Sequence, residues 1–263
     1  MYLEVPMFEL LLAELTRAGI QFRRYLFEAI GGIVISTAVF YGLFLSASYI
    51  AGPGLAFGDR LDAIIVGYVL WTLVLFIMAN ISGTLQREAQ TGTLEQLFIS
   101  PFSASQVFLA RAVADLLLQA GLIAAILVII MALTGRWLAF PLSLWLPLLT
   151  VLLGAYGLSF TIGSLALMVK RIQQVLGIFQ FALLFLLSVP TEEWTGNLRL
   201  LGDLLPMSPG AGLLRNVMAR QQALDLQQLG IALVNGGVYF AIGLILFRWA
   251  ERYTKRHGNL SDY

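Results

Sequence analysis

The chain has 263 residues, of which 59% are apolar and 12% charged, about half the charged share of a soluble domain. A mean hydropathy of +0.85 with a net charge of +1 excludes a soluble or disordered chain and gives no reason to expect nucleic acid as a partner. There is no cysteine, and the single histidine, His257, lies in a polar tail. Disulfides, thiolate chemistry and a histidine-ligated metal or haem centre within an apolar span are therefore excluded.

The 16 basic and 15 acidic residues leave six charge-free stretches of at least 20 residues: 29–58, 63–86, 116–135, 137–169, 172–191 and 226–247. A membrane-crossing helix needs roughly 20 apolar residues. Continuous apolar runs also argue against a β-barrel, whose strands alternate. The expected fold is an all-α polytopic membrane protein, with an amphipathic interfacial helix over 1–28 and a six-span domain over 29–263.

In the first element, Phe8, Leu11, Leu12 and Leu15 follow an i, i+3, i+4, i+7 pattern that Ala18, Phe22 and Leu26 continue, with Glu4, Glu9 and Glu14 on the other face. A helix so patterned and running straight into a span is expected in the plane of the membrane surface. Its glutamates stand where a secretory signal carries basic residues, so no signal peptide is expected. The spans are placed at about 29–50, 63–84, 112–134, 143–168, 172–189 and 229–248. Gly52-Pro53-Gly54 closes the first, and Pro141 and Pro147 blur the start of the fourth. With the N-terminus in the cytoplasm, eleven Lys and Arg residues fall on cytoplasmic segments. Five fall outside: Arg60, Arg136, Arg199, Arg215 and Arg220. The positive-inside rule favours that orientation, with both ends cytoplasmic. The densest basic cluster, Arg248 to Arg256, reads as a topology anchor at anionic lipid. No internal repeat is evident, which removes the sign of many inverted-repeat carriers.

Two connections are more than turns. In 86–105, Thr93 and Gln96 have capping-box spacing, and Leu94, Leu97 and Phe98 share a face. Gly92 before them breaks a preceding helix, and Pro101 disfavours helical geometry at Ser100. The product is a short helix with one apolar face, suited either to the groove of a soluble partner or to the bilayer and neighbouring spans. In 190–226, Ser208 as N-cap and Pro209 in the first turn predict a helix start, with Leu213, Leu214 and Val217 as its apolar face. A second short helix is expected over 198–205, before Pro206. Asn80, Gln119, Gln180 and Asn235 are the notable amides of the spans, and helix–helix hydrogen bonding is their expected role. Gly236 and Gly237 would allow close approach beside Asn235. Tyr41, Trp71, Asn80 and Asn235 are candidates for lining a translocation path. Asp115 is expected to pair with Arg111, one turn away. The two lysines, Lys170 and Lys255, do not follow a glycine, so the sequence carries no phosphate-binding loop and no ATP hydrolysis by that route is expected.

The stretch Glu88-x-x-x-Gly92-Thr93-x-Glu95-x-Leu97-x-x-Ser100-Pro101 resembles the cytoplasmic signature of the type-2 ABC transporter permeases. The resemblance extends to six spans, cytoplasmic ends, an amphipathic leading helix and an extended outer segment before the last span. It implies a stand-alone permease subunit of an ABC exporter in a bacterial inner membrane, paired as a homodimer over two ATP-binding subunits that hold ATP and Mg. Glu88, Gly92, Thr93, Leu94, Glu95, Leu97, Phe98, Ser100 and Pro101 would form the coupling helix and its surroundings, seated on the ATPase. Pro206, Ser208, Pro209 and Leu213 would belong to short helices that dip back and cap the exit. The apolar spans fit an amphiphile, whether drug, lipid or lipid-linked glycan. The alternative is an ion-gradient-driven secondary transporter, for which Asp115 is the one candidate buried carboxylate. An intramembrane enzyme is disfavoured, since no span holds cysteine or histidine.

Overall fold

The computed structural model describes residues 7–51, 58–91, 104–168 and 173–257. Among them every regular element is helical. In chain order these are α1 (Met7–Arg24), α2 (Leu26–Ala51), α3 (Gly58–Thr91), α4 (Ala104–Thr134), a 3₁₀ turn (Leu142–Leu144), α5 (Trp145–Met168), α6 (Gln173–Ser188), a second 3₁₀ turn (Thr191–Glu193), α7 (Asn197–Leu204), α8 (Ser208–Met218) and α9 (Leu226–His257). Among the described residues five stretches are long and apolar enough to cross a membrane: Leu26–Ser46, Arg60–Ile81, Leu109–Thr134, Leu142–Leu165 and Leu226–Tyr253. The expected span at 172–189 corresponds to α6, a 16-residue apolar helix. At 1.5 Å per residue it covers about 24 Å, short of the roughly 30 Å of a hydrocarbon core.

The start of the fourth span, left open by its prolines, resolves simply. Pro141 precedes the 3₁₀ turn, and Pro147 falls in the first turn of α5, where a missing backbone donor costs nothing. The leading helix ends at Arg24, and the chain turns at Tyr25 into α2.

Two helices form the centre. In α3 and α5, 61% of the spanning window is buried, against 11% in α2. Ile65, Val74, Met78, Val151, Ala155 and Phe160 are fully enclosed there. α4 runs antiparallel to α3, because Asp62 meets Arg136 at one end and Asn80 meets Asp115 at the other. α6 is also antiparallel to α3: a Cβ on Gly67 would meet Leu187, while the Trp71 indole donates to the Gln180 carbonyl at 3.0 Å. α9 runs parallel to α5, with Gly236 against Thr150 and Gly243 against Gly157. A Cβ at either Gly157 or Gly243 would overlap backbone of the facing helix, so these two glycines set the distance between α5 and α9. Gly237 has open space around it; of the expected pair, Gly236 alone makes the close approach.

α1 lies along α4 at one end of this bundle, and α7 and α8 lie at the other. The polar face expected for α1 is revised in one respect. Glu14 is buried, facing α4, because Arg111 of α4 supplies it with a cationic partner. Phe8, Leu12 and Ile20 point away from the protein.

Candidate functional site

At the α1 end, charged side chains tie three helices together. Glu14 accepts from Arg17 Nε at 2.6 Å and from Arg111 Nε at 3.3 Å, joining α1 to α4. Asp115 accepts from Asn80 Nδ2 at 2.7 Å, joining α4 to α3, and lies 3.9 Å from Arg17 Nη2. The pairing expected of Asp115 is thereby corrected: its contacts run to Asn80 and Arg17, while the Arg111 guanidinium reaches across to Glu14. Both carboxylates are largely withdrawn from water, where an ion needs partners to be tolerated. The cluster sits two to three turns inside the ends of α3 and α4 that flank residues 92–103. Thr91 closes α3 and Ala104 opens α4, so a displacement of the chain between them acts on both helices, and through Glu14 on α1.

Of the residues expected to couple to a partner, Glu88 lies within α3. Gly92, Thr93, Leu94, Glu95, Leu97, Phe98, Ser100 and Pro101 lie outside the described residues.

Above the cluster a cleft of about 640 Å³ opens between α1, α2, α3 and α4. Gln21, Glu28, Asn80, Asp115 and Gln119 line its polar part, and Phe76, Leu122 and Ile126 continue it as an apolar wall. Asn80 is the one candidate path residue on this wall. Trp71 is packed between α3 and α6, in line with Tyr68 and Phe40. Tyr41 sits beside Phe44 with ring centroids 6.0 Å apart. Asn235 belongs to the opposite end. The four residues are not gathered into one cavity.

At that opposite end α8 is inserted among α3, α5 and α9. Ten of its eleven residues are buried, so it is a plug in the bundle and not a helix lying on its surface. Leu213, Leu214 and Val217 are buried as expected. The opposite face carries Arg215, also fully buried. Its Nε and Nη2 donate to Glu192 at 2.9 and 2.6 Å, and Nη1 and Nη2 donate to the carbonyls of Leu187 and Val189. One guanidinium thus satisfies the free carbonyls at the end of α6 and pins the 3₁₀ turn. Burial on its own would raise the Glu192 carboxyl. The hydrogen bonds and charge of Arg215, with Arg220 beside it, reverse this and hold it below the usual carboxylate range. Arg220 also pairs with Glu193 and donates to Asn216.

The helix start at Ser208 needs a correction. Met207, in the left-handed region at φ 62°, occupies the N-cap, and Ser208 is the first helical residue. The Ser208 hydroxyl is hydrogen-bonded to Thr191 instead of to its own helix. Pro209 stands in the first turn as expected, and Pro206 lies in the link from α7. Asn235 of α9 holds that link. Its amide nitrogen donates to the carbonyls of Asp203 and Leu205 at 2.8 and 3.1 Å, and its oxygen accepts from Met207 N at 3.2 Å. Tyr239, one turn on, donates to the Leu204 carbonyl. Asn235 is thus a clamp on the link between α7 and α8.

The sequence pattern does not reveal the Glu192–Arg215 pair, because it marks a single apolar face on α8. The available signal was an arginine in the middle of Leu213-Leu214-Arg215-Asn216-Val217, a run too apolar to lie in water.

Among the described residues no group of three or more His, Asp or Glu side chains is arranged to hold a metal ion. A search of curated proteins finds no match. The family model ABC2_membrane_3, described as ABC-2 family transporter protein, matches residues 46–245, well over half of the chain and all of α3 to α8. Five membrane-length helices, a central α3–α5 pair and this match agree, and the chain belongs to the ABC-2 family of transporter permeases, the membrane subunits that work with ABC ATP-binding subunits.

Proposed function

We propose that the chain is the permease of an exporter, working as a homodimer in a bacterial inner membrane with both ends in the cytoplasm and coupled to ATP hydrolysis in two separate subunits. The observation that carries this reading is the family match, together with where α3 ends at Thr91 and α4 begins at Ala104. These two ends lie at the end of the bundle where Glu14, Arg17, Arg111 and Asp115 lash α1 to both helices. A partner that grips the chain between them moves three helices together. ATP-driven closure of the partner would then bias the permease between two states through its different fit to each.

Six crossings are the preferred topology. α6 is short, yet it runs beside α3 in the opposite sense over Gly67 to Trp71, which suits a crossing completed by the neighbouring residues. On this reading α7 and α8 lie on the outer side and dip back as an exit cap, with their backbone shielded by protein as an apolar surrounding demands. The cleft beside Asn80 is the favoured entry for an amphiphilic substrate from the inner leaflet, since it joins a polar end at Gln21, Glu28 and Asp115 to an apolar wall, the order of an amphiphile.

The test is co-expression with the ATP-binding subunit and reconstitution into vesicles. Gly92→Pro and Glu88→Ala are expected to leave hydrolysis running while transport falls at least tenfold. Normal transport by both variants would remove the coupling assignment. Flux that persists without ATP and follows a proton gradient would favour the secondary-transporter reading.

A further inference from the structure

A second amphiphile-shaped site lies on the far side of the molecule from the inner cleft, where α7 crosses α9. A trough of about 810 Å³ runs down α9, walled by Leu200 and Leu204 on α7 and by Val234, Val238 and Ile242 on α9. Of its polar lining residues, Asn235 and Tyr239 are already spent on α7 carbonyls, and Asp203 and Gln227 stand at its upper end, so below them the trough offers an apolar surface. From Ile231 to Ile242 it descends about 16 Å, close to half of a roughly 30 Å hydrocarbon core. At its upper end the trough opens into a polar notch lined by Arg199, Asp203, Asp225 and Gln228. Arg199 and Asp203 are one turn apart on α7. Among the described residues the Arg199 guanidinium and the Asp203 carboxylate make no hydrogen bond or ion pair with each other or with any other side chain. Asp225 spends one oxygen capping the amides of Gln227 and Gln228 and keeps the other.

We infer that this groove holds a phospholipid with a zwitterionic, ammonium-bearing headgroup in the leaflet opposite α1. Three features fit that occupant in order. The apolar trough has the length of one leaflet. An unpaired guanidinium stands where a phosphate sits at its mouth, a match of charge and of fork geometry. Beside it two carboxylates face the position of an ammonium. A purely anionic headgroup would meet the same arginine but also Asp203 and Asp225, which repel it. The bound lipid would brace α7 against α9 over the Asn235 clamp, and so fix the outer cap.

The experiment uses the full-length chain, delipidated in detergent and incubated with mixed vesicles of phosphatidylethanolamine and phosphatidylglycerol of identical acyl chains, with retained lipid read by native mass spectrometry. Wild type is expected to retain the ethanolamine lipid about fivefold over the glycerol lipid, a difference of about 1 kcal/mol. Arg199→Gln lowers retention of both lipids, and Arg199→Lys restores it in part. Asp203→Asn abolishes the preference but not the binding. Val238→Trp, which fills the trough, removes both. Thermal melts of each variant show whether the fold is kept, and the Lys and Asn changes separate lipid binding from simple destabilisation. Equal retention of the two lipids by wild type, unchanged in Arg199→Gln, would overturn the proposal. Displacement of the lipid by glycerophosphoethanolamine alone would also overturn it, by showing that the trough contributes nothing. The chain has no cysteine, so Val238→Cys is a clean probe of the remaining occupant. A disulfide between two copies in native membranes would show that a second chain covers the groove, and would equally overturn it.

Discussion

Arg215 shows what a single buried charge demands. It is fully enclosed, and its guanidinium hydrogen bonds serve Glu192 and the carbonyls at the end of α6. Truncating Glu192 leaves that cation without its counter-charge, so Glu192→Ala is expected to cost about 3–5 kcal/mol, measured as a fall in the melting temperature of the purified chain. The pH dependence has a definite sign. The folded-state pKa of Glu192 lies below its unfolded value of 4.5, so its contribution is fully present above that value and is lost as pH falls through the folded pKa. Stability of wild type should therefore drop below about pH 4.5 more steeply than that of Glu192→Gln, in which no charge remains to titrate. Asn235→Leu strands two carbonyls and one amide at the α7–α8 link. It is expected to cost about 1–3 kcal/mol per group left unsatisfied and to speed proteolysis at residues 203–207 before the rest of the chain. Neither role is visible in sequence, because each depends on partners more than 20 residues away.

At the scale of elements, legibility follows from what the physics of each segment depends on. Long apolar runs declare themselves, and α2, α3, α4, α5 and α9 stand within a few residues of the expected spans. The helix over 198–205 was readable from its leucines and its closing proline, and it forms as Asn197–Leu204. What sequence pattern left undecided was which face meets what. The periodicity puts Glu14 on the polar side of α1, yet it is buried, since burial of an acid depends on Arg111, a residue of another helix. Ser208 has the chemistry of an N-cap, yet Thr191 competes for its hydroxyl and Met207 takes the cap position. Helix contact likewise separates two adjacent glycines that look alike in sequence. Gly236 abuts Thr150, and Gly237 faces open space. Gly243→Leu, at the α5–α9 crossing, is expected to destabilise the chain by about 1–3 kcal/mol through overpacking. Gly237→Leu should be nearly silent in the same thermal melt.

Across the whole molecule, the two ends of the bundle are built differently. One end binds α1, α3 and α4 through a charge cluster and leaves a cleft open beside it. The other is closed by an inserted helix, an enclosed ion pair and an amide clamp. An end made to move and an end made to hold suit a transporter driven from one side. The segment that would receive the drive was singled out in sequence by its Gly92-Thr93-x-Glu95 motif and its single apolar face, because those features are local. Coupling through this segment is tested most directly by replacing residues 93–100 with a Gly-Ser linker of equal length and following capture of the ATP-binding subunit by the permease. The unaltered chain is expected to retain the ATP-binding subunit on purification, and the linker variant, folded and inserted as well as wild type, to lose it. An ATP-binding subunit that stays bound and hydrolyses ATP unchanged beside the linker variant would contradict this coupling.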